Sequence, residues 1–205
     1  MKKILFTLFC FFAITSFSYA QENDKSKFSY GLNFGFGNSA LENNQIGVLD
    51  GNLLAIKFNV DYDFSSNSRT KLTSGLEALE FNSNFFNGTN QSRLKNEYLQ
   101  IPLKLTHRVN LEKEEKLKLV IGIGGYANFL LRSRILELAK EIDTKSGGFN
   151  LGFGISTGLD YDLSENTTVK LIFDIMNETD SIKNNGYEQK QIEIYLIGLG
   201  FSTSF

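Results

Sequence analysis

The sequence predicts an all-β fold, and within that class an eight-stranded antiparallel up-and-down transmembrane β-barrel. Three observations lead to this prediction. Apolar residues recur at every second position in most predicted strands, whereas a helix would repeat them at every third or fourth position. The connections between strands alternate between long and short. Glycine is concentrated on the polar face of several strands, where a solvent-exposed strand would gain nothing from it.

The chain begins with the pattern of a secretory signal peptide. Two lysines, an apolar run over residues 4–17 and the segment Ser18-Tyr19-Ala20 follow one another, with small residues where a signal peptidase reads. The apolar run is short for a membrane-spanning helix, and the order of the segments is typical of a cleaved export signal. We therefore expect residues 1–20 to be removed by cleavage before Gln21.

The mature chain, residues 21–205, is expected to form one barrel domain. The single cysteine, Cys10, lies inside the signal, and the large Phe9 before it argues against a lipid anchor. Mature protein would then contain no disulfide, no catalytic thiol and no thiolate metal site. The whole chain has 21 basic and 23 acidic residues and no basic block, so we expect no nucleic-acid partner.

Eight segments carry the alternating pattern of β-strands. The first, second and sixth are the most regular, and each opposes large apolar residues to small or polar ones. The predicted strands cover residues 28–37, 54–64, 70–81, 99–106, 116–131, 149–161, 167–176 and 191–205.

The last strand predicts an orientation in the membrane. Tyr195 and Ile197 share one face, and Gly198 and Gly200 share the other. Aromatic rings mark both lipid–water boundaries of membrane barrels. We expect Tyr195 at the outer boundary and the aromatic end of the strand, residues 201–205, at the periplasmic boundary.

Two strands contain irregularities. The alternation of the third strand changes phase near Ala78 and Leu79, which predicts a bulge there or the end of the membrane-spanning part. Pro102 lies in the middle of the fourth strand. Because proline has no N–H to donate, we expect a bulge or a local break at that point.

The lengths of the connections predict which end of the barrel faces outward. Outer-membrane barrels have short periplasmic turns, longer outer loops and an even number of strands, and both termini then lie on the periplasmic side. The long, polar connections are residues 38–51, 82–93, 132–146 and 177–187, and the short ones are residues 65–69, 110–115 and 164–166.

The position of glycine predicts which face of the strands is outside. Gly31, Gly35, Gly152 and Gly154 all lie on the polar face, and small residues are needed inside a narrow eight-stranded barrel. The apolar face is therefore expected to meet lipid. The alternative is a soluble, lipocalin-like barrel with its apolar face inside around an apolar ligand.

The predicted interior holds ionisable residues of both signs in similar numbers. Eight strands leave an interior that side chains can fill, so an ion-paired core is favoured over a charged conduction path. These residues are Lys57, Asp61, Asp63, Glu77, Lys104, Arg108, Asp160, Lys170 and Asp174.

The acid pairs Asp61/Asp63 and Asp160/Asp162 and the single histidine, His107, are the residues that could carry catalysis. Each acid pair shares the inner face near the periplasmic end, where an acid-pair hydrolase or a cation site is conceivable. A role as salt-bridge partners is favoured, and the partners we expect are Lys104, Arg108 and Lys118. His107 lies near a short periplasmic turn, which favours a structural role at the interface over that of a catalytic base.

Two further segments have weak functional signals. Residues 122–125 resemble a glycine-rich phosphate loop, but no helix follows them. Residues 132–145 carry enough apolar side chains among charges to predict a short amphipathic helix, either as a docking element or as a cap on the barrel. We therefore predict no catalytic residue, no cofactor and no metal site.

The segment Tyr98-Leu99-Gln100-Ile101-Pro102-Leu103 resembles the Tyr-Leu-x-Ile-Pro-Leu strand of the PorT-like outer-membrane β-barrel family of the Bacteroidetes. The resemblance extends over most of the mature chain, including the glycine-rich first, fifth and sixth strands and the closing Leu-Gly-Phe. It implies an outer-membrane barrel in which Pro102 is an expected feature. Named members of that family are associated with protein secretion and gliding, and the resemblance implies no catalytic residues.

Together these patterns predict a small, non-enzymatic outer-membrane barrel that serves as an interaction, assembly or structural component. Its expected partners are outer-membrane lipid, the barrel-assembly machinery through the last strand, and an envelope protein through the outer loops or the periplasmic rim. A narrow pore, a lipid-modifying or proteolytic enzyme, and the lipocalin-like barrel remain alternatives.

Overall fold

The chain folds into antiparallel β-sheet throughout the residues that the computed structural model describes, which are 27–64, 69–87, 90–112, 116–137, 140–145, 147–184 and 186–204. The predicted signal peptide and its cleavage before Gln21 lie outside these described residues. In the described part of the chain, no helix is long and apolar enough to cross a membrane.

Eight long strands and two short ones make up this sheet in the described residues. Each long strand covers one of the predicted segments to within one residue, and most continue well beyond it. The strands are β1 (Phe28–Asn43), β2 (Gly47–Asp63), β3 (Thr70–Asn87), β4 (Asn90–Asn110), β5 (Leu117–Glu137), β6 (Lys140–Lys145), β7 (Phe149–Asp162), β8 (Thr167–Glu178), β9 (Ile182–Asn184) and β10 (Tyr187–Ser204).

The long strands follow one another around a closed barrel. Each pairs with the next long strand in the chain, and β6 and β9 are short additions beside β5 and β10. The first strand also pairs with the last, from Ser29 opposite Ser204 to Asn43 opposite Gln189. This closure confirms the predicted eight-stranded up-and-down β-barrel.

Apolar side chains cover the outside of the barrel over about half of its height. On β1, for example, Phe34 and Phe36 point outward while Asn33 and Gly35 point inward. We call the outward apolar side chains of residues 28–36, 54–62, 72–78, 99–109, 119–131, 149–161, 169–175 and 195–203 the belt. The apolar face thus lies outside here, which is the opposite of the lipocalin-like arrangement.

The predicted long loops are wrong as loops, because most of their residues are paired strand. We call the described residues within 38–52, 80–97, 132–148 and 177–193 the outer extension, because the predicted orientation places them outside the membrane. The turn between β1 and β2 takes only residues 44–46, and β4 and β5 each run for 21 residues. A tilted strand crosses a bilayer in about 9–11 residues, so these strands extend well beyond the belt.

The helix predicted for residues 132–145 is also wrong. β5 continues to Glu137, and β6 pairs beside it from Ser133 opposite Lys145 to Glu137 opposite Lys140. A bulge at Leu131 shifts the phase, after which Ser133 points inward and Arg134 outward. The ladder with the extended β4 overrides the weak helical pattern, because it satisfies the backbone groups of the whole segment.

The phase change in β3 marks the end of the belt and is not a bulge. Pairing with β2 is regular from Asn52 opposite Asn82 to Asp63 opposite Lys71. The side chains keep alternating between the two faces without a shift. What changes is the polarity of the faces, because the apolar Leu79 points inward and the charged Glu80 outward. Of the two predicted causes, the end of the membrane-spanning part is therefore the correct one.

Pro102 breaks the ladder on one side only, as predicted. Its pairing with Tyr126 on β5 is regular, whereas the ladder between β3 and β4 is interrupted between Ser74 and Glu77. Gly75 faces the break with a φ of 152°, and the Ser74 hydroxyl donates a hydrogen bond to the Pro102 carbonyl at 2.8 Å. The local break is thus accommodated by glycine and capped by serine.

Candidate functional site

The barrel interior changes character along its height. Near the predicted periplasmic end it is charged, further out it is amide-rich, and inside the outer extension it is apolar. The outside changes in the reverse sense, from the apolar belt to polar and charged side chains. The outer extension therefore has the polarity of a water-soluble barrel, and the belt region has that of a membrane barrel.

The outer extension encloses an apolar core. The ring of Phe81 fits against Gly51, because a Cβ at that glycine would lie 2.5 Å from a ring atom. Such close packing leaves no room for a larger residue at position 51. The side chains that are completely buried in this core include Leu41, Leu53, Phe81, Leu94, Ile182 and Ile194.

A network of buried polar side chains lies within reach of this apolar core. The Tyr98 hydroxyl accepts a hydrogen bond from Gln189 at 3.1 Å and another from Asn96 at 3.0 Å. The Tyr187 hydroxyl donates to Gln189 at 2.7 Å. The network ties β4 to β10 across the barrel, and buried polar groups bonded in this way stabilise one arrangement of the strands.

Glu178 is an acidic side chain that is buried inside the outer extension. The backbone amide of Gln191 donates a hydrogen bond to its carboxylate at 2.6 Å, and Asn128 donates another. Burial nevertheless raises the pKa of the Glu178 carboxyl to about 7, because moving a carboxylate out of water disfavours its charged form.

The polar interior begins with a row of directly paired residues that runs across the strands. Neighbours along the row face each other in the ladders, so each is in contact with the next. The row consists of Asn33, Lys57, Glu77, Gln100, Asn128 and Asn150.

Asp174 lies at the centre of the first ion-paired group. It accepts hydrogen bonds from Lys57 at 2.6 Å and from Lys104 at 2.9 Å. Lys57 is also 3.3 Å from Glu77. All four side chains are at least largely buried, so the charges are paired with one another and not with bulk water.

Asp61 lies at the centre of the second group, closer to the periplasmic end. Lys71 and Lys170 donate to its carboxylate at 2.7 and 2.8 Å, and Thr73 adds a hydrogen bond at 2.6 Å. Asp160 lies 4.0 Å from Lys71. The two groups together contain four lysines and four acids, which balances their charge.

Two less buried ion pairs line the mouth at the predicted periplasmic end, which we call the periplasmic mouth. Arg108 pairs with Asp63 at 2.6 Å, and Lys118 pairs with Asp162. Both pairings confirm the partners predicted for the acid pairs. The prediction for Lys104 was wrong, because Lys104 reaches across the barrel to Asp174 on β8. The carboxylate of Asp61 is already paired with Lys71 and Lys170.

Side chains fill most of the space between these charges. A cavity of about 60 Å³ remains among them, which is enough for a few water molecules. Every predicted interior charge lies on the inner face, as expected. Lys71 was missed, although it is in phase with Glu77 on the same strand and the alternation alone could have placed it inside.

His107 is not part of this arrangement. Its ring is exposed on the outer face of β4, and its Nδ1 lies 2.9 Å from the Thr70 hydroxyl. The neighbouring acids Asp61 and Asp63 point to the inner face, so the fold does not join them to the histidine. Among the described residues, no cluster of histidine, cysteine and acidic side chains could hold a metal ion.

Residues 122–125 form part of β5 and no phosphate loop. A Cβ on Gly124 would lie 2.2 Å from the backbone of β4, so this glycine serves close packing between strands. No helix N-terminus follows in the described residues, and the geometry that cradles a phosphate is therefore absent.

The outer surface just above the belt is polar and ordered by contacts between strands. Lys95 pairs with Glu80 at 2.6 Å, Arg134 pairs with Glu97, and Arg93 donates to Asn82 at 2.9 Å. Burial would raise the pKa of Glu80, but hydrogen bonds from Lys95 and Asn82 outweigh it and hold that pKa below its ordinary value. The surface therefore presents fixed polar groups directly above the lipid-facing residues.

Comparisons with known proteins agree with this architecture. The family model described as Outer membrane protein beta-barrel domain matches residues 7–205. No curated protein is significantly similar to the chain. Among solved structures, Neisserial surface protein A is 11% identical, with a TM-score of 0.55 over 89% of this chain and 100% of that one. A major outer membrane protein from Thermus thermophilus is 12% identical, with a TM-score of 0.52 over 88% of this chain and 100% of that one. At these identities the two structures share the fold alone.

Proposed function

Because the chain belongs to the outer membrane protein beta-barrel domain family, we propose that it works in the cell outer membrane as a non-enzymatic barrel that binds another envelope protein through its outer extension. It is an interaction or assembly component, anchored in lipid by the belt. Its partner is recognised outside the bilayer, by side chains that the paired strands hold in place.

The outer extension is the observation that carries this proposal. Its hairpins are paired strands over the apolar core, with polar and charged side chains on the outer surface. A surface that is already ordered loses little conformational entropy when it binds, which favours protein recognition. An anchor alone would need no strands beyond the roughly ten residues of a membrane crossing.

The finer identity of the protein is part of the same proposal. The Tyr98–Leu103 motif supports a PorT-like barrel of the Bacteroidetes, with a role linked to secretion. Export through a signal peptide cleaved before Gln21 fits this location. Assembly by the barrel-assembly machinery through β10 also fits, since β10 is the strand that closes the barrel.

The alternatives of enzyme and pore receive less support. The acids that could act as a catalytic pair are held by lysine and arginine, and His107 lies on the other face of the sheet. A pore would need a continuous path, whereas the ion-paired groups and the apolar core occupy successive levels of the interior.

Site-specific photocrosslinking in intact cells tests the proposal. A crosslinking side chain at Glu42 or Asn84, both exposed in the outer extension, should capture one discrete envelope protein. Leu103, which is exposed within the belt, is the matched control and should capture none. Crosslinks confined to the periplasmic mouth, for example at Lys118, would contradict recognition by the outer extension.

A further inference from the structure

Three asparagines form a continuous row on the outer surface, directly above the belt. Asn38 faces Asn52 across β1 and β2, and Asn52 faces Asn82 across β2 and β3. Tyr195 faces Asn38 from β10 and extends the row by one aromatic ring. We call Tyr195, Asn38, Asn52 and Asn82 the asparagine row. Its three amides span two strand spacings, about 10 Å.

The side chains in the row are available to a ligand. Asn38 and Asn52 are exposed, and neither side chain has a hydrogen-bond partner among the described residues. Asn82 is oriented by its bonds to Glu80 and Arg93. Each free amide offers both donors and an acceptor, which matches hydroxyl groups that both donate and accept.

The side chains around the row favour an amphipathic ligand. Phe36 and Leu54, which lie directly below Asn38 and Asn52, are 61% and 56% exposed. Above the row, Asp50 and Glu193 flank Ala40 and are both exposed. These two acids repel an anionic group such as phosphate from Asn38 and Asn52, whereas the cations Lys95 and Arg93 lie at the Asn82 end of the row and are bonded to Glu80 and to Asn82. At Asn38 and Asn52 the chemistry therefore favours an uncharged polar headgroup over an apolar chain.

We propose that the asparagine row binds the neutral sugar headgroup of an outer-leaflet glycolipid, while Phe36 and Leu54 contact its acyl chain. The amides bond the sugar hydroxyls, and the ring of Tyr195 packs against the apolar face of a sugar. The belt already places this surface at the headgroup level, where Tyr is favoured because its ring is amphipathic. The proposal concerns a lipid site at the bilayer boundary and is independent of a protein partner.

The test uses the full mature barrel in bicelles of phosphatidylcholine, titrated with digalactosyl diacylglycerol and followed by NMR. The side-chain amide signals of Asn38 and Asn52 should shift, while that of Asn177, an outward asparagine on β8, should not. The combined substitution of Asn38→Ala and Asn52→Ala removes two neutral hydrogen bonds, and the affinity for the glycolipid should fall roughly tenfold. Asn177→Ala is the matched control and should retain the glycolipid like the native protein.

Three outcomes would overturn the proposal. Equal retention of the glycolipid by the double variant would show that the amides do not bind it. Equal response to phosphatidylglycerol would show that the surface does not select a neutral sugar. An equal affinity for the free disaccharide would remove the role of Phe36 and Leu54. Both asparagines are exposed, so their replacement should leave folding intact, and the altered gel mobility of the unboiled barrel monitors it.

Discussion

At the scale of single residues, Asp174 holds two buried lysines from different strands. Asp174→Asn would leave Lys57 and Lys104 with one carboxylate fewer in the largely buried interior. Breaking a buried pair from one side costs about 3–5 kcal/mol, so we expect a large loss of stability. Urea unfolding in lipid vesicles measures it, with Glu42→Gln on the exposed outer surface as the unaffected control. An unchanged midpoint for Asp174→Asn would show that the interior charges are solvated.

Glu178 makes stability depend on pH. Its folded-state pKa of about 7 lies above the ordinary value of 4.5, so the native state binds the proton more tightly than the unfolded state. Its contribution is therefore fully present below pH 4.5 and is lost as the pH rises through 7, by about 3 kcal/mol in all.

Glu178→Gln should abolish this loss, because the amide is neutral at every pH. The measurement is the urea midpoint of native protein and variant between pH 4.5 and 7.5. A native midpoint that does not change across this interval would contradict the buried, proton-binding carboxyl.

At the scale of elements, the outer extension should behave as structured sheet. Residues 132–137 pair with β4 on one side, and residues 133–137 also pair with β6 on the other, so this segment is held in ladders. Hydrogen exchange should be slow there and fast at Glu165, an exposed residue in the turn between β7 and β8. Exchange at 132–137 as fast as in that turn would contradict the β5–β6 hairpin.

The alternation of the sequence predicts the strands well because lipid and core impose opposite demands on neighbouring residues. It predicts the outer extension poorly. At Leu79 and Glu80 the strand continues, but its outward face becomes polar and its inward face apolar. A prediction that assigns apolar residues to the outside therefore finds an irregularity at this point. The polar outer faces of the same strands then resemble loops, since no local signal shows that a neighbouring strand is there to pair with them.

The interior was predictable in composition but less so in its pairings. Residues that share a face, such as Asp61 and Asp63, follow from the period of two. Partners across the barrel do not, because they depend on the stagger between strands. Lys104 reaches Asp174 at a separation of 70 positions, and no local pattern encodes that contact.

At the scale of the whole molecule, the filled interior predicts that the barrel does not conduct. The ion-paired groups leave about 60 Å³ between them, and the apolar core lies beyond. Planar bilayers containing folded protein should show no discrete conductance steps. Altered gel mobility of the unboiled sample verifies folding, and reproducible steps from such a sample would contradict a filled barrel.

The orientation of the barrel can be tested with introduced cysteines, since the predicted mature chain contains none. Asn84→Cys in the outer extension should react with a membrane-impermeant thiol reagent in intact cells. Asn110→Cys, at the opposite end of β4, should react only after the outer membrane is permeabilised. The reverse pattern would overturn the topology.

The pairing of β1 with β10 has a consequence for how the chain reaches its native state. It joins the segments that are farthest apart in sequence, with Ser29 opposite Ser204. Contacts of such high contact order bear the largest loop-closure entropy, so the local hairpins are expected to form before this pairing. Once formed, it holds the two ends on adjacent strands. A circular permutant with joined ends and new termini in the turn at residues 44–46 would keep every strand intact, and would close its barrel between β1 and β2 instead.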